Sequence, residues 1–249
     1  MRCMQRVGLV AAVVLAAGSS VWAAPTAKVV ATQGKDPKLG FEWSLEAVQL
    51  EGLADAEVQR AVNAALKQRV RTERETMARG LEGWERQADP STLWVGMSVT
   101  LLTERVLSVK MEVESLYAGA AHQNRSLRGV SFDLVTGKEL TLNDLLAAAP
   151  EARERMASLV EAALRKDPDN YWDGVVAEDA YRFEQLEADA ITDVVLVDGG
   201  VRFLFGDFQL GAGYNAGTAE VDLPAAQLAG LLGPGYPSDS RGLTGALGR

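Results

Sequence analysis

One histidine, His122, stands in the whole chain. Any Ser-His-Asp triad, histidine general base or histidine metal site must therefore be built on it. No metal-ligand spacing such as H-E-x-x-H surrounds it. Ser131 lies in Gly129-Val-Ser131-Phe-Asp133, without the second glycine that places a nucleophile on a strand-to-helix elbow. Asp169-Asn-Tyr171-Trp-Asp173-Gly174 opens like a calcium loop, with Asp at the first and fifth places and Gly at the sixth. Tyr171 then fills the third place and Ala180 the twelfth, where a bidentate glutamate is required, so a solvated loop is expected instead. Gly211-Ala-Gly213-Tyr-Asn-Ala-Gly217 has its third glycine one place late for a dinucleotide loop and leads into strand-like sequence. A sharp turn between strands is the better reading. Trp43, Trp84, Trp94 and Trp172 could stack on sugars, but their scatter along the chain favours core packing. Neither a metal nor another cofactor is expected.

The elements that would position these residues follow from hydrophobic periodicity. Phe41-x-Trp43-x-Leu45-x-Ala47 alternates as a half-buried strand. Leu53, Val58, Val62, Ala65 and Leu66 recur at helical spacing, which predicts one helix from Asp55 to Arg79. Thr92–Glu104 and Val106–Leu116 read as a hairpin of two long strands, and 127–134 as a further strand ending in the Thr136-Gly137-Lys138 turn. Thr141-Leu-Asn-Asp144 has capping-box spacing and predicts a short helix. A second helix should run from Pro150 to Asp167-Pro168. Val194–Val197 and Val201–Phe205 flank Asp198-Gly199-Gly200, a strong hairpin signal. Residues 217–223 read as a last strand, and Pro224–Leu232 as a closing helix, because proline suits a first helical turn. Hairpins separated by helices predict an α+β fold, mainly antiparallel sheet with helices packed on it.

The ends carry their own information. Arg2 and Arg6 precede an uncharged, mostly apolar stretch, Val7–Ala17, which is too short to span a bilayer. Val21-Trp22-Ala23 follows, so residues 1–23 read as a signal peptide cleaved after Ala23. The expected location is the periplasm or outside the cell, with no membrane span after cleavage. Cleavage would remove Cys3, the only cysteine, and with it any disulfide, thiol nucleophile or zinc–thiolate site. Residues 24–40, polar with two prolines, read as a flexible leader, and 233–249, rich in Gly, Pro and Ser, as a disordered tail. Asp89-Pro90 could divide the region between them into two subdomains. Losing Arg2 and Arg6 leaves 23 basic residues against 34 acidic, a net charge of −11. Such a surface disfavours nucleic acid and anionic lipid and favours basic partners.

Two blocks of the chain resemble a known family. The first is Tyr117-Ala-Gly119-Ala-Ala121-His122, with Val130-Ser-Phe-Asp133-Leu-Val-Thr136-Gly137-Lys138-Glu-Leu-Thr-Leu142-Asn-Asp144-Leu145-Leu146 after it. The second runs from Gly200-Val-Arg-Phe203-Leu-Phe205 through Tyr214-Asn215-Ala216-Gly217 to Val221-Asp-Leu-Pro224 and Leu228-Ala-Gly-Leu231-Leu232. Together they are similar to the signature of the RsiV-like extracytoplasmic domain, over residues 41–232. Ala120 departs from it, standing where that family has a second glycine. That family is mostly of unknown function, and its domain occurs in lysozyme-sensing anti-sigma factors and beside peptidoglycan deacetylase domains. The resemblance implies a non-enzymatic binding module of the cell envelope. Its binding residues would be Tyr117, Gly119, His122, Tyr214, Asn215 and Gly217, with both loops beside one sheet. The partner implied is a basic envelope protein such as a lysozyme-type hydrolase, or peptidoglycan. The rival reading is a cell-wall-active hydrolase or deacetylase-like enzyme that uses His122 with a nearby carboxylate.

Overall fold

The computed structural model describes residues 24–85, 87–149, 151–166, 186–210 and 217–233. The fold is α+β, as expected, and stacks four layers: a long helix, a six-stranded sheet, a three-stranded sheet, and a cap of short helices and turns.

The large sheet has the order β1-β2-β3-β4-β5-β6. Its strands are β1 (Thr26–Asp36), β2 (Phe41–Glu51), β3 (Ser91–Leu102), β4 (Val106–Leu116), β5 (Asn124–Asp133) and β6 (Glu139–Leu140). All neighbours are antiparallel except β2 and β3, which run parallel over Phe41–Leu45 and Ser91–Val95. Parallel neighbours need a crossover, and helix α1 (Ala56–Gly80) supplies it. Asp55 caps α1 by accepting from the Glu57 and Val58 amides at 2.8 and 3.1 Å. Val62, Leu66, Val70 and Met77 form its buried stripe. The stripe packs on Phe41, Leu45, Leu93, Val95, Met97, Val109, Met111 and Val113, which share one face of the sheet by register. Asp89-Pro90 lies in the connection from α1 to β3, between two strands of the same sheet.

Two expectations are corrected. The stretch expected as a flexible leader, 24–40, is largely strand: β1 pairs with β2 along its whole length, from Thr26↔Glu51 to Asp36↔Phe41. Asp36 Oδ1 then accepts from the Lys38 amide at 2.9 Å and shapes the turn into β2. The closing helix expected over Pro224–Leu232 is a series of turns, because Pro224 is the last residue of a strand. Proline fits there, where the outer strand of a sheet needs no further amide donor.

Past Leu45, β2 outruns β3 and loses its neighbour on that side. Asn63 of α1 takes the missing strand's place. Its Oδ1 accepts from the Leu50 amide at 2.7 Å, and its Nδ2 donates to the Leu50 carbonyl at 2.9 Å. Leu50 is fully buried, so no water could substitute.

The small sheet has the order β7-β8-β9, from β7 (Asp193–Val197), β8 (Gly200–Phe205) and β9 (Ala219–Pro224). The Asp198-Gly199 turn joins β7 to β8, with Gly199 at φ 71°. One face, with Val194, Leu196, Val201, Phe203, Phe205, Val221 and Leu223, packs under α3 (Ala152–Leu164), the short α2 (Leu142–Leu145) and the 228–232 turns. The other face meets the large sheet through Val195 and Leu204 on Leu127.

β7 crosses that face from β5 towards β3, and small or hydroxylated residues admit it. A Cβ on Gly129 would stand 2.0 Å from the Val194 carbonyl oxygen. Ser108 Oγ accepts from the Leu196 amide at 2.8 Å, and Thr100 Oγ1 donates to the Leu196 carbonyl at 2.8 Å. The outer edge of β7 is thus satisfied by side chains of another sheet. Beside it, Lys110 pairs with Glu220 at 2.5 Å, and Arg202 binds Glu220 at 2.9 Å and Asp222 at 2.6 and 2.8 Å. Asp222, and then Glu220, raise the basicity of the Arg202 guanidinium.

The capping box at α2 forms as its spacing predicts: Asp144 accepts from the Thr141 amide at 2.9 Å and donates its own amide to Thr141 Oγ1 at 3.4 Å. The Lys138 ammonium, then the Thr141 hydroxyl and amide, hold the Asp144 carboxyl well below its ordinary value of 3.8. A carboxyl depressed by folding stabilises the protein above its unfolded value and loses that contribution as pH falls below it. Asp144→Asn should therefore be less stable than the parent at pH 7, and the two denaturation midpoints should converge on acidification below about pH 4. A gap of constant size across that range would contradict this assignment.

Candidate functional site: a groove on the open half of the large sheet

The residues expected to bind are placed as follows. Tyr117 follows β4 and packs at the end of α1: its hydroxyl would stand 2.9 Å from a Cβ on Gly80, and its ring lies 5.9 Å from that of Trp84. Gly119 occupies the third position of a turn closed by the Ala120 amide donating to the Tyr117 carbonyl at 2.9 Å. Its φ of 82° explains the glycine there. His122 is exposed on the bend that leads into β5. Gly217, at φ 66°, lies two residues before Ala219, which pairs with Phe205. Past Phe205, the Asp207 amide donates to the Arg125 carbonyl at 3.0 Å, and Asp207 Oδ2 accepts from the Arg125 amide at 2.6 Å. Gly217 and His122 therefore lie towards the same end of β5. Tyr214 and Asn215 fall outside the described residues, as do the Asp169–Gly174 loop, Trp172 and the 1–23 segment.

Ser131 is buried and shares a hydrogen bond of 2.8 Å with Ser108 beneath β7, which places it in the packing between sheets. Among the described residues no three histidine, cysteine, aspartate or glutamate side chains gather as a metal site, and no helix is long and apolar enough to cross a membrane.

The small sheet covers only the Thr100–Ser108–Gly129 half of the large sheet's second face. Among the described residues no element covers the other half, which holds a groove of about 700 Å³. The register defines its walls. One row crosses four strands as Gln33, Ser44, Trp94 and Glu114, and continues to Arg125 on the fifth. The next row is Lys35, Glu42, Thr92 and Leu116. Backbone of the intervening Gly34, Trp43, Leu93 and Ser115 forms the floor, because the side chains of the last three point to the α1 face and Gly34 has none. Glu114 is held by Arg125 at 3.3 Å. Gln123, with its amide oxygen turned to Arg125, accepts from Nη2 at 2.6 Å and from Nε at 2.8 Å.

The tryptophans divide between the faces. Trp43 lies across Gly34 on the helix side, with the Arg74 guanidinium 5.4 Å above its ring, and belongs to the core. Trp94 lies over Gly96 on the groove side, where a Cβ would meet its ring at 2.4 Å, and belongs to none of the three cores. Scatter along the chain hides this difference. The legible signal is a tryptophan two residues before a glycine in a strand, which lets the ring lie down on the backbone.

No protein-family model matches the chain, and no curated protein sequence does. Solved structures do share its fold. A DUF3298 family member from Bacteroides fragilis NCTC 9343 superposes with a TM-score of 0.58 at 13% identity, covering 84% of this chain and 93% of that one. A DUF3298 family protein from Pseudomonas aeruginosa PAO1 gives a TM-score of 0.52 at 17% identity, over 85% of this chain and 94% of that one. The likeness is one of fold, to domains of unknown function.

Proposed function

We propose that the protein is an exported, non-enzymatic binding module of the cell envelope, of the RsiV-like kind, whose ligand is an envelope protein or a cell-wall glycan. The observation that carries the binding reading is the groove on the half-face of the large sheet that the small sheet leaves uncovered: a wide, preformed groove in which polar side chains flank Trp94, the form that recognition sites take. The short apolar stretch Val7–Ala17 followed by Val21-Trp22-Ala23 supports export. The net charge of −11 of the processed chain favours a basic protein partner, and the resemblance in the His122 and Gly217 segments makes a lysozyme-type hydrolase the particular candidate. Steering by charge alone weakens steeply with salt, whereas a packed interface keeps much of its affinity.

The test presents the exported protein to purified sacculi and to a lysozyme, at physiological and at about half-molar salt, where the screening length is shorter. Binding that survives high salt is expected, and His122→Ala should retain it within a few fold. Hydrolysis or deacetylation of the sacculi that disappears in His122→Ala would establish the enzymatic alternative instead.

A further inference from the structure

We propose that the groove is a carbohydrate cleft in which Trp94 is the stacking platform for a pyranose ring of a neutral, gluco-configured oligosaccharide. This rests on the binding-module reading and names its ligand class and its site.

Four observations converge on it. Trp94 is half-buried, joins no core, and lies flat because Gly96 offers no Cβ beneath it, so its position is set before a ligand arrives. The ring rests on Gly96 and is only half-buried, so part of its surface remains accessible. A pyranose with equatorial substituents carries a flat patch of axial C–H bonds, and those weakly positive hydrogens suit the negative face of an indole. The row flanking Trp94 supplies hydroxyl partners on both sides, Ser44 and Gln33 on one and Glu114 on the other. Their mixture of donors and acceptors matches sugar hydroxyls, which do both. Arg125 fixes the Glu114 carboxylate, so orienting it costs the ligand little.

Charge decides against other occupants. Glu42 and Glu114 face Lys35 and Arg125 along the two rows, so the groove is nearly balanced and rejects a polyphosphate. An extended peptide would want a series of apolar pockets, and the walls offer Leu116 alone besides Trp94. Four inter-strand steps of about 4.8 Å separate Gln33 from Arg125, so the row accommodates a short oligosaccharide rather than a single sugar. A galacto-configured ring raises an axial hydroxyl from one face and disturbs the stack, which makes configuration the specificity determinant.

The experiment titrates the exported protein with N-acetylglucosamine tetramer, cello-tetraose and a galacto-configured tetrasaccharide, following tryptophan emission and heat. Both gluco-configured ligands should bind, and the galacto-configured one at least several-fold more weakly. Trp94→Ala should weaken binding about tenfold, as expected for one lost aromatic contact. Gly96→Ala should do the same although the indole is retained, because the new methyl group displaces the ring from its resting position. Trp84→Ala, at the end of α1, should leave affinity unchanged. Equal affinity for all three sugars, unchanged affinity in both Trp94→Ala and Gly96→Ala, or no binding of the gluco-configured ligands would overturn the proposal. If sugars fail while lysozyme binds at high salt, the cleft falls and the envelope module stands; if sugars, sacculi and lysozyme all fail, both fall.

Discussion

Gly129→Val should lower the melting temperature by about 6–12 °C, the shift that a loss of about 3 kcal/mol produces in a chain of this size. The contact that the new side chain meets is backbone, the Val194 carbonyl oxygen 2.0 Å from the Cβ position, and backbone cannot rotate away. β7 must therefore lift from the large sheet. Lifting it strains the two hydrogen bonds that hold Leu196, to Ser108 and Thr100, and the bond from the Gly129 amide to Asp193 Oδ1 at 3.1 Å. Hydrogen exchange gives the sharper readout. The Leu196 amide should exchange far faster in the variant, whereas the amides that β3 and β4 bond to each other should keep most of their protection. A melting temperature within about a degree of the parent's would show that the two sheets are not held at this crossing.

Asn63→Ala should cost about 2–3 kcal/mol, a large effect for one side chain on a mostly solvated helix. The methyl group abandons both the amide and the carbonyl of Leu50, and each buried backbone group left without a partner carries its own desolvation penalty. The damage should be local to the far half of β2 and the β1 residues registered with it, Ala27 and Lys28 against Leu50 and Gln49. Denaturant unfolding measures the cost, and exchange at Ala47–Glu51 locates it. Destabilisation below about half a kcal/mol would mean that water reaches Leu50 after all.

Sequence foretells the elements that carry their own local signal. The Phe41-x-Trp43-x-Leu45 alternation is β2, the Asp55 cap opens α1, and the Thr141–Asp144 box opens α2, because each pattern lies within a few residues of what it specifies. β1 was hidden for the opposite reason. Val29 and Val30 stand side by side among Lys, Thr, Gln and Gly, with no alternation, and Val29 is 52% exposed. Its strand conformation comes from β2, and pairing of that kind is a tertiary fact. Pro224 misled because a proline can open a helix or close an outer strand, and only the neighbour at Gly200 decides between them. The groove was equally out of reach. Gln33, Ser44, Trp94 and Glu114 come from four strands, and a register across the β2–α1–β3 crossover leaves no trace in spacing along the chain. Tyr117 and Gly119 belong to the binding residues that the resemblance implies, and both also have structural roles, Tyr117 packing over Gly80 and Gly119 making a turn.

The two principal cores divide the chain by order of appearance. Among the described residues, every buried residue of the core between α1 and the large sheet lies between Phe41 and Leu134, whereas the buried residues of the core under α3 include only Leu101 and Val106 from before Leu142. A chain emerging amino-terminus first can thus close its first core before any of β7 has appeared. The face it leaves waiting mixes polar and small residues, Ser108, Lys110, Gly129 and Ser131, with three apolar side chains, Leu101, Val106 and Leu127. An unfinished molecule therefore shows its neighbours apolar side chains interrupted by hydroxyls and charge rather than a continuous apolar surface, which lessens clumping while the remaining hundred or so residues arrive. The hydroxyls that later receive Leu196 are those that keep the half-built protein separate.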